Sequence, residues 1–124
     1  MIELKNIDVE FGQGKKTFKA VKDVSLTIND GEVFGIVGPS GAGKSTLVRV
    51  INMLQPPTRG QVLIDGQDIT KLGRRELRKV RLNIGMIFQH FNLISGSTIA
   101  ENVAFSLYAN QYPKDQIPAR VKVQ

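Results

Sequence analysis

The sequence predicts an α/β fold, and three observations carry that prediction. Residues 33–37 form a short apolar run that leads straight into a glycine-rich stretch. Leu47, Val50, Ile51 and Leu54 then follow at i, i+3, i+4 and i+7, one face of a helix. Before that unit, residues 2–28 alternate polar and apolar as strands do. Beyond it, residues 84–88 form a second apolar run of the buried-strand type. Strand, glycine-rich loop and helix in that order describe a parallel βα unit, and the alternating section ahead of it describes an antiparallel sheet.

The glycine-rich stretch is Gly38-Pro39-Ser40-Gly41-Ala42-Gly43-Lys44-Ser45, followed by Thr46. It satisfies G-x-x-x-x-G-K-[ST], the P-loop that wraps the phosphates of a nucleoside triphosphate. Glycines let the backbone turn tightly enough to aim successive N–H groups at phosphate oxygens. Lys44 adds a point charge near the outer phosphates, and the Ser45 hydroxyl can complete a Mg²⁺ shell. The helix that follows presents its positive end to the same phosphates. By average residue frequencies the four fixed positions co-occur by chance in on the order of one in a few hundred chains of this length. The strand before and the helix after tighten that further, so a mere glycine-rich turn is disfavoured and the stretch is read as a nucleoside-triphosphate site.

Composition sets bounds. A chain of 124 residues has room for one domain at most, and 41% hydrophobic content is ordinary for a globular protein. The absence of cysteine excludes a disulfide framework, a thiolate metal site and a cysteine nucleophile, and it fits a reducing compartment. His90 is the only histidine, which excludes a histidine-based metal site. No apolar run approaches the roughly 20 residues that span a bilayer. Met1-Ile2-Glu3-Leu4-Lys5 lacks the basic-then-apolar layout of a signal peptide, so a soluble cytosolic chain is expected.

Much of the net charge of +6 sits between residues 71 and 81, in Lys71, Arg74, Arg75, Arg78, Lys79 and Arg81. Arg74, Arg78 and Arg81 would share one helical face. A solvated helix surface is favoured over nucleic-acid contact because no aromatic residues interleave with the charges. An anionic membrane surface is a third possibility.

Along the chain, Ile7, Val9 and Phe11 alternate, as do Val24, Leu26 and Ile28, with residues 12–16 as the loop between them. Ile2 and Leu4 have the opposite parity, which predicts a bulge or face change near Asn6. Asn29-Asp30-Gly31 is a turn signal that closes the section. Pro56-Pro57-Thr58-Arg59-Gly60 breaks the chain after the P-loop helix, and residues 61–64 make a short strand ended by Asp65-Gly66. Gln89 follows the run 84–88, and a loop with Asn92, Ser95, Gly96 and Ser97 comes next. Thr98 and Glu101 form a capping box that opens a helix with Ile99, Val103 and Leu107 in one stripe. The stretch from Pro113 to Gln124 is polar, contains Pro118, and reads as the start of an element that does not continue.

Over its whole length the sequence resembles the first half of the ATP-binding subunit of an ABC transporter. The resemblance rests on the P-loop, the antiparallel section ahead of it, and Gln89 at the end of the run 84–88, where the family carries its Q-loop glutamine. Ile84-Gly85-Met86-Ile87-Phe88-Gln89-His90-Phe91-Asn92-Leu93 is similar to the methionine-importer branch, as is Pro113-Lys114-Asp115. The fold so implied is a P-loop NTPase core with an N-terminal antiparallel β subdomain, of the ABC ATPase type and truncated. Residues 1–124 would be the N-terminal part of a single nucleotide-binding domain. The β subdomain and P-loop region would occupy 1–88, and the Q-loop and the start of the helical subdomain 89–124.

The resemblance also implies an activity: an ABC-type ATPase that couples ATP binding and hydrolysis to uptake of an amino acid, methionine by branch. ATP and Mg²⁺ would be its cofactors. Lys44 and Gln89 would be catalytic, and Ser45 and Gln89 would meet the metal. The carboxamide of Gln89 offers both a donor and an acceptor, which suits a switch that senses the γ-phosphate. Without the P-loop it would read as a polar strand terminus. Phe11 matches the aromatic that stacks on adenine, although its parity with Ile7 and Val9 also fits a core residue. Implied partners are a membrane permease subunit contacting the region between Gln89 and Phe105, a second ATPase subunit forming a homodimer, and, indirectly, an extracytoplasmic substrate-binding protein. Nucleic acid is not expected, and the implied location is the cytoplasmic face of the cell membrane.

The signature Ser-Gly-Gly motif, the Walker B acids and the switch histidine of the family do not occur in these residues. Phosphoryl transfer needs a positioned water and further charges about the γ-phosphate, so this chain alone is expected to bind ATP without turnover. Pro118 departs from the helix that the family places there. Two alternatives are weaker. A nucleic-acid-associated ABC ATPase would use the 71–81 cluster, and a small nucleotide kinase would begin near the P-loop strand, which residues 1–29 argue against.

Overall fold

β1 (Ile2–Gln13) and β2 (Lys16–Ile28) pair antiparallel from Ile2↔Ile28 to Gln13↔Lys16, in a computed structural model that describes residues 1–123. The strands run through most of the expected 12–16 loop, leaving only Gly14 and Lys15 as the turn. Gly14, at φ 61, supplies the left-handed backbone that a two-residue hairpin needs. The parity change near Asn6 is present as a bulge. Register slips between Leu4 and Ile7 against β2, Asn6 stands at φ 50, and Leu4 and Ile7 are both buried as a result.

β3 (Arg59–Ile64) pairs antiparallel with β1 from Ile2↔Ile64 to Asp8↔Arg59. Asp65 at φ 49 and Gly66 at φ 80 have the two left-handed residues of a tight hairpin turn, and they return the chain as the short β4 (Gln67–Asp68). The sheet order is β2-β1-β3-β4. The helix α1 (Lys44–Ile51) packs on β1 and β2 through buried Leu47 and Val50. The core of this part is completed by Leu4, Ile7, Val9, Val21, Val62 and Ile69. The expected helical face extends to Leu54, but α1 stops at Ile51. Met53, at φ 57, turns the chain so that Met53 is buried and Leu54 is exposed.

The chain divides into two compact units, Met1–Lys79 and a second from Val80 onward. The basic segment forms α2 (Arg74–Arg81) across that division, and it buries none of its residues. In the second unit, α3 (Ile99–Ala109) opens on the expected capping box. Thr98 Oγ1 accepts from the Glu101 N–H at 3.2 Å, and Glu101 Oε2 accepts from the Thr98 N–H at 2.7 Å. The expected stripe is shifted: Ala104 is the buried residue of α3, and Ile99 is exposed. After a 3₁₀ turn (Lys114–Gln116), α4 (Ile117–Val123) packs against α3 with Ile117 buried. The chain therefore continues as a helix past Pro118. A proline in the first helical turn lacks only an N–H that has no intrahelical partner there. Gln124 lies outside the described residues.

Two expected strands do not form. Among the described residues no strand pairs with 33–37 or with 84–88. Val33, Val37 and Ile87 are 99%, 93% and 100% exposed. Apolar patterning marks a segment as fit for a sheet, but a strand exists only where a neighbour takes up its N–H and C=O groups.

Candidate functional site

The glycine-rich loop is shaped by its own backbone. Gly41 at φ 79 and Gly43 at φ 88 take left-handed conformations, and the Ala42 N–H donates to the Pro39 carbonyl at 3.2 Å. Gly43 also answers a packing demand, because a Cβ there would stand 2.3 Å from the Ala20 carbonyl oxygen on β2. Lys44 begins α1, and its Nζ donates to the carbonyls of Gly38 and Pro39 at 2.7 Å each, so the ammonium is held over the loop that precedes it.

Gly43 is the N-cap of α1 and there is no side-chain cap, so the N–H groups of Lys44, Ser45 and Thr46 have no intrahelical partner. No acidic side chain stands in the first turn to offset the positive helix end. Ser40 and Ser45 are exposed, and Thr46 is half-buried. Beside the loop lies a cavity of about 280 Å³, lined on β2 by Ala20, Val21, Lys22 and Val24 and across it by Ala42 and Lys44. Its charged lining is entirely basic. Backbone N–H groups, a lysine and a helix N-terminus stand together in this loop, a set of groups whose chemistry suits a polyanion.

Phe11 is not part of the core that Ile7 and Val9 build. It is 42% exposed and lies opposite Phe18, itself 60% exposed, across the β1–β2 ladder. Sequence reasoning passed over Phe18. No motif marks Phe18, whose place opposite Phe11 follows from the β1–β2 register.

Sequence reasoning also passed over Asp8, which is 5% exposed. Its Oδ1 accepts from the Asp23 N–H at 2.7 Å, and its Oδ2 lies 2.9 Å from Arg59 Nε and 3.9 Å from Lys19 Nζ. The Asp23 N–H first, then the two cations, hold its carboxyl below the usual carboxylate value, against the opposing effect of burial. Asp68 is lowered likewise by the hydroxyl and N–H of Thr70.

In the second unit, Gln89 stands exposed at a bend directly after residues 84–88, with His90 exposed beside it. The loop beyond is pinned by Asn102. Its Oδ1 accepts from the Ile94 N–H at 2.8 Å, and its Nδ2 donates to the carbonyls of Ile94, Ser97 and Thr98 at 3.3, 3.3 and 2.9 Å. Loop and α3 enclose a cavity of about 620 Å³ lined by Leu93, Ile94, Ile99, Val103 and Phe105, with only uncharged polar residues among them. Among the described residues no cluster of three or more His, Cys, Asp or Glu could hold a metal, and no helix is long and apolar enough to cross a membrane.

A glycine loop of this form at the head of a helix, beside an antiparallel sheet, has the arrangement of a P-loop domain. Residues 21–123 match the family described as ABC transporter, and the chain belongs to that family. It is 52% identical over 121 residues to the methionine import ATP-binding protein MetN of Escherichia coli O157:H7, and 51% identical to that of strain K12. The MetN of Vibrio vulnificus strain YJ016 is 50% identical. Each match covers 98% of this chain and 35% of the relative, so the chain spans about a third of the length of these proteins. Among solved structures, the dimeric post-hydrolysis state of the ATP-binding cassette MJ0796 bound to ADP and Pi superposes with a TM-score of 0.89. It is 39% identical, over 98% of this chain and 54% of that one. A second dimeric structure of MJ0796, described as a bacterial ABC transporter cassette, has a TM-score of 0.89 at 40% identity, over 97% of this chain and 53% of its own.

Proposed function

We propose that this chain is the N-terminal part of the ATP-binding subunit of an ABC importer, an ATPase that couples ATP binding and hydrolysis to uptake of methionine. The observation that carries the reading is the loop from Gly38 to Thr46. Left-handed Gly41 and Gly43, the ammonium of Lys44 and the uncapped start of α1 converge there beside a basic cavity. Those groups match the three phosphates of ATP in charge and in hydrogen-bonding sense. Methionine as the substrate is supported by the methionine import for which the MetN relatives, at 50–52% identity, are named.

In this reading Gly38, Pro39, Ser40, Gly41, Ala42, Gly43, Lys44, Ser45 and Thr46 hold the phosphates and exposed Phe11 meets the adenine. Mg²⁺ takes most of its oxygen ligands from phosphate and water, so a single protein hydroxyl suffices, and Ser45 in the first turn of α1 fits that need. Gln89 is the second group assigned to the metal and the γ-phosphate. Residues 1–88 form the β subdomain and P-loop region, and 89–124 the Q-loop and the start of the helical subdomain. The region between Gln89 and Phe105 receives the permease, a second ATPase subunit completes a homodimer, and a substrate-binding protein acts through the permease. The working location is the cytoplasmic face of the membrane.

The test is methionine uptake by cells whose importer depends on the full-length subunit carrying this sequence. Gln89→Ala is expected to leave ATP binding intact and to abolish uptake. Wild-type uptake by that variant would remove the switch role, and no methionine uptake by the unaltered protein would remove the substrate assignment.

A further inference from the structure

Beside the phosphate loop, β2 departs twice from a regular ladder. Between the pairs Ile7↔Val24 and Val9↔Val21, the single β1 residue Asp8 stands opposite both Lys22 and Asp23. Between Val9↔Val21 and Glu10↔Lys19, β2 carries Ala20 as an additional residue. Asp23 is at φ 44, a left-handed backbone that costs a residue with a Cβ more than it costs glycine. Two hydrogen bonds hold it: its N–H donates to Asp8 Oδ1 at 2.7 Å, and its own Oδ1 accepts from Asn6 Nδ2 at 3.1 Å. The other oxygen of Asp8 is anchored by Arg59 on β3 at 2.9 Å. One buried carboxylate therefore ties three strands together at the bulge.

The bulged stretch is the wall of the basic cavity. Ala20, Val21, Lys22 and Val24 line it opposite Ala42, Gly43 and Lys44, and the Ala20 carbonyl is the atom against which only a glycine fits at position 43. A slip of one residue in β2 would exchange the faces of Ala20 and Val21 and displace that carbonyl. We propose that Asp8 is a positioning residue for the phosphate loop, its carboxylate fixing the bulge at Asp23 and the bulge fixing where Gly43 and the donors after it stand. The inference rests on reading that loop as an ATP site.

The experiment is a calorimetric titration of Mg-ATP into the full-length subunit carrying this sequence, with thermal unfolding as the check on folding. Asp8→Ala is expected to stay folded and to weaken binding by about fivefold to tenfold, the order of one lost hydrogen bond. Asp8→Asn keeps an oxygen for the Asp23 N–H and is expected to bind within about twofold of the unaltered protein. Asp23→Gly added to Asp8→Ala is expected to restore affinity, because glycine holds a φ near 44 without support. Folded Asp8→Ala with unaltered affinity, or no rescue by Asp23→Gly, would overturn the proposal and leave Asp8 a stabilising residue only. Should Asp8→Ala not fold, Asp8→Leu, which keeps the buried volume without an acceptor oxygen, is titrated in its place, weakened affinity supporting the proposal and unaltered affinity rejecting it. Failure of the unaltered protein to bind Mg-ATP would instead reject the ATP site itself.

Discussion

A Cβ on Gly43 would stand 2.3 Å from the carbonyl oxygen of Ala20. The phosphate loop is thus seated directly on the backbone of β2, and the fit of loop to sheet depends on one missing side chain. Gly43→Ala adds that clash to a φ of 88 that alanine rarely adopts. Both effects push the loop away from β2, so the substitution is expected to weaken Mg-ATP binding by at least about tenfold and to lower stability by about 1–3 kcal/mol. Calorimetry and denaturant unfolding check this. Unaltered affinity and stability would contradict the seating.

Asp8 makes stability depend on pH in a defined direction. Its folded carboxyl lies below the ordinary value of 3.8, held there mainly by the Asp23 N–H. The stabilisation it gives is complete above that ordinary value and is lost as pH falls through the folded one. The stability difference between the unaltered protein and Asp8→Asn is expected to be constant from neutral pH down to about 5 and to shrink below about 4. A difference that did not change with pH would show that the charge on Asp8 has no part in it.

Asn102 bonds both the N–H and the carbonyl of Ile94 in the loop after Gln89, where the Ser97 N–H also donates to that carbonyl at 3.1 Å. Asn102→Ala removes all four of its bonds to that loop and the start of α3. Because water can reach the freed groups, the expected cost is about 1–2 kcal/mol, the lower part of the range for lost hydrogen bonds. Amide exchange at Ile94 should accelerate by about tenfold or more, since a 1.4 kcal/mol change is a factor of ten in the opening equilibrium. Unaltered exchange at Ile94 would mean that the loop is held by something else.

Local features were legible in the sequence, and features that depend on distant partners were not. The P-loop spacing, the parity change near Asn6, the Asp65-Gly66 turn and the Thr98–Glu101 capping box are all written within a few residues, and each stands in the structure where its chemistry places it. The apolar runs 33–37 and 84–88 carry strand patterning but find no ladder partner among the described residues, because pairing is a property of two segments. Met53 escaped notice because the left-handed turn after α1, and not the helical period, carries it into the core. Asp8 and Asn102 belong to no motif. A buried aspartate in a strand gives no sign in the sequence that a bulge fifteen residues on will offer it an N–H.

The central claim, that the loop from Gly38 to Thr46 is a phosphate site with Lys44 as its principal charge, is tested most directly by one comparison of binding. Lys44 Nζ already stands over the loop, 2.7 Å from the carbonyls of both Gly38 and Pro39. Losing one charged phosphate contact costs about 1.5–3 kcal/mol, which is at least about tenfold in affinity. Titration of Mg-ATP into the unaltered protein and into Lys44→Ala is therefore expected to show binding that weakens by tenfold or more with the fold retained. Equal affinity of the two proteins would contradict the assignment.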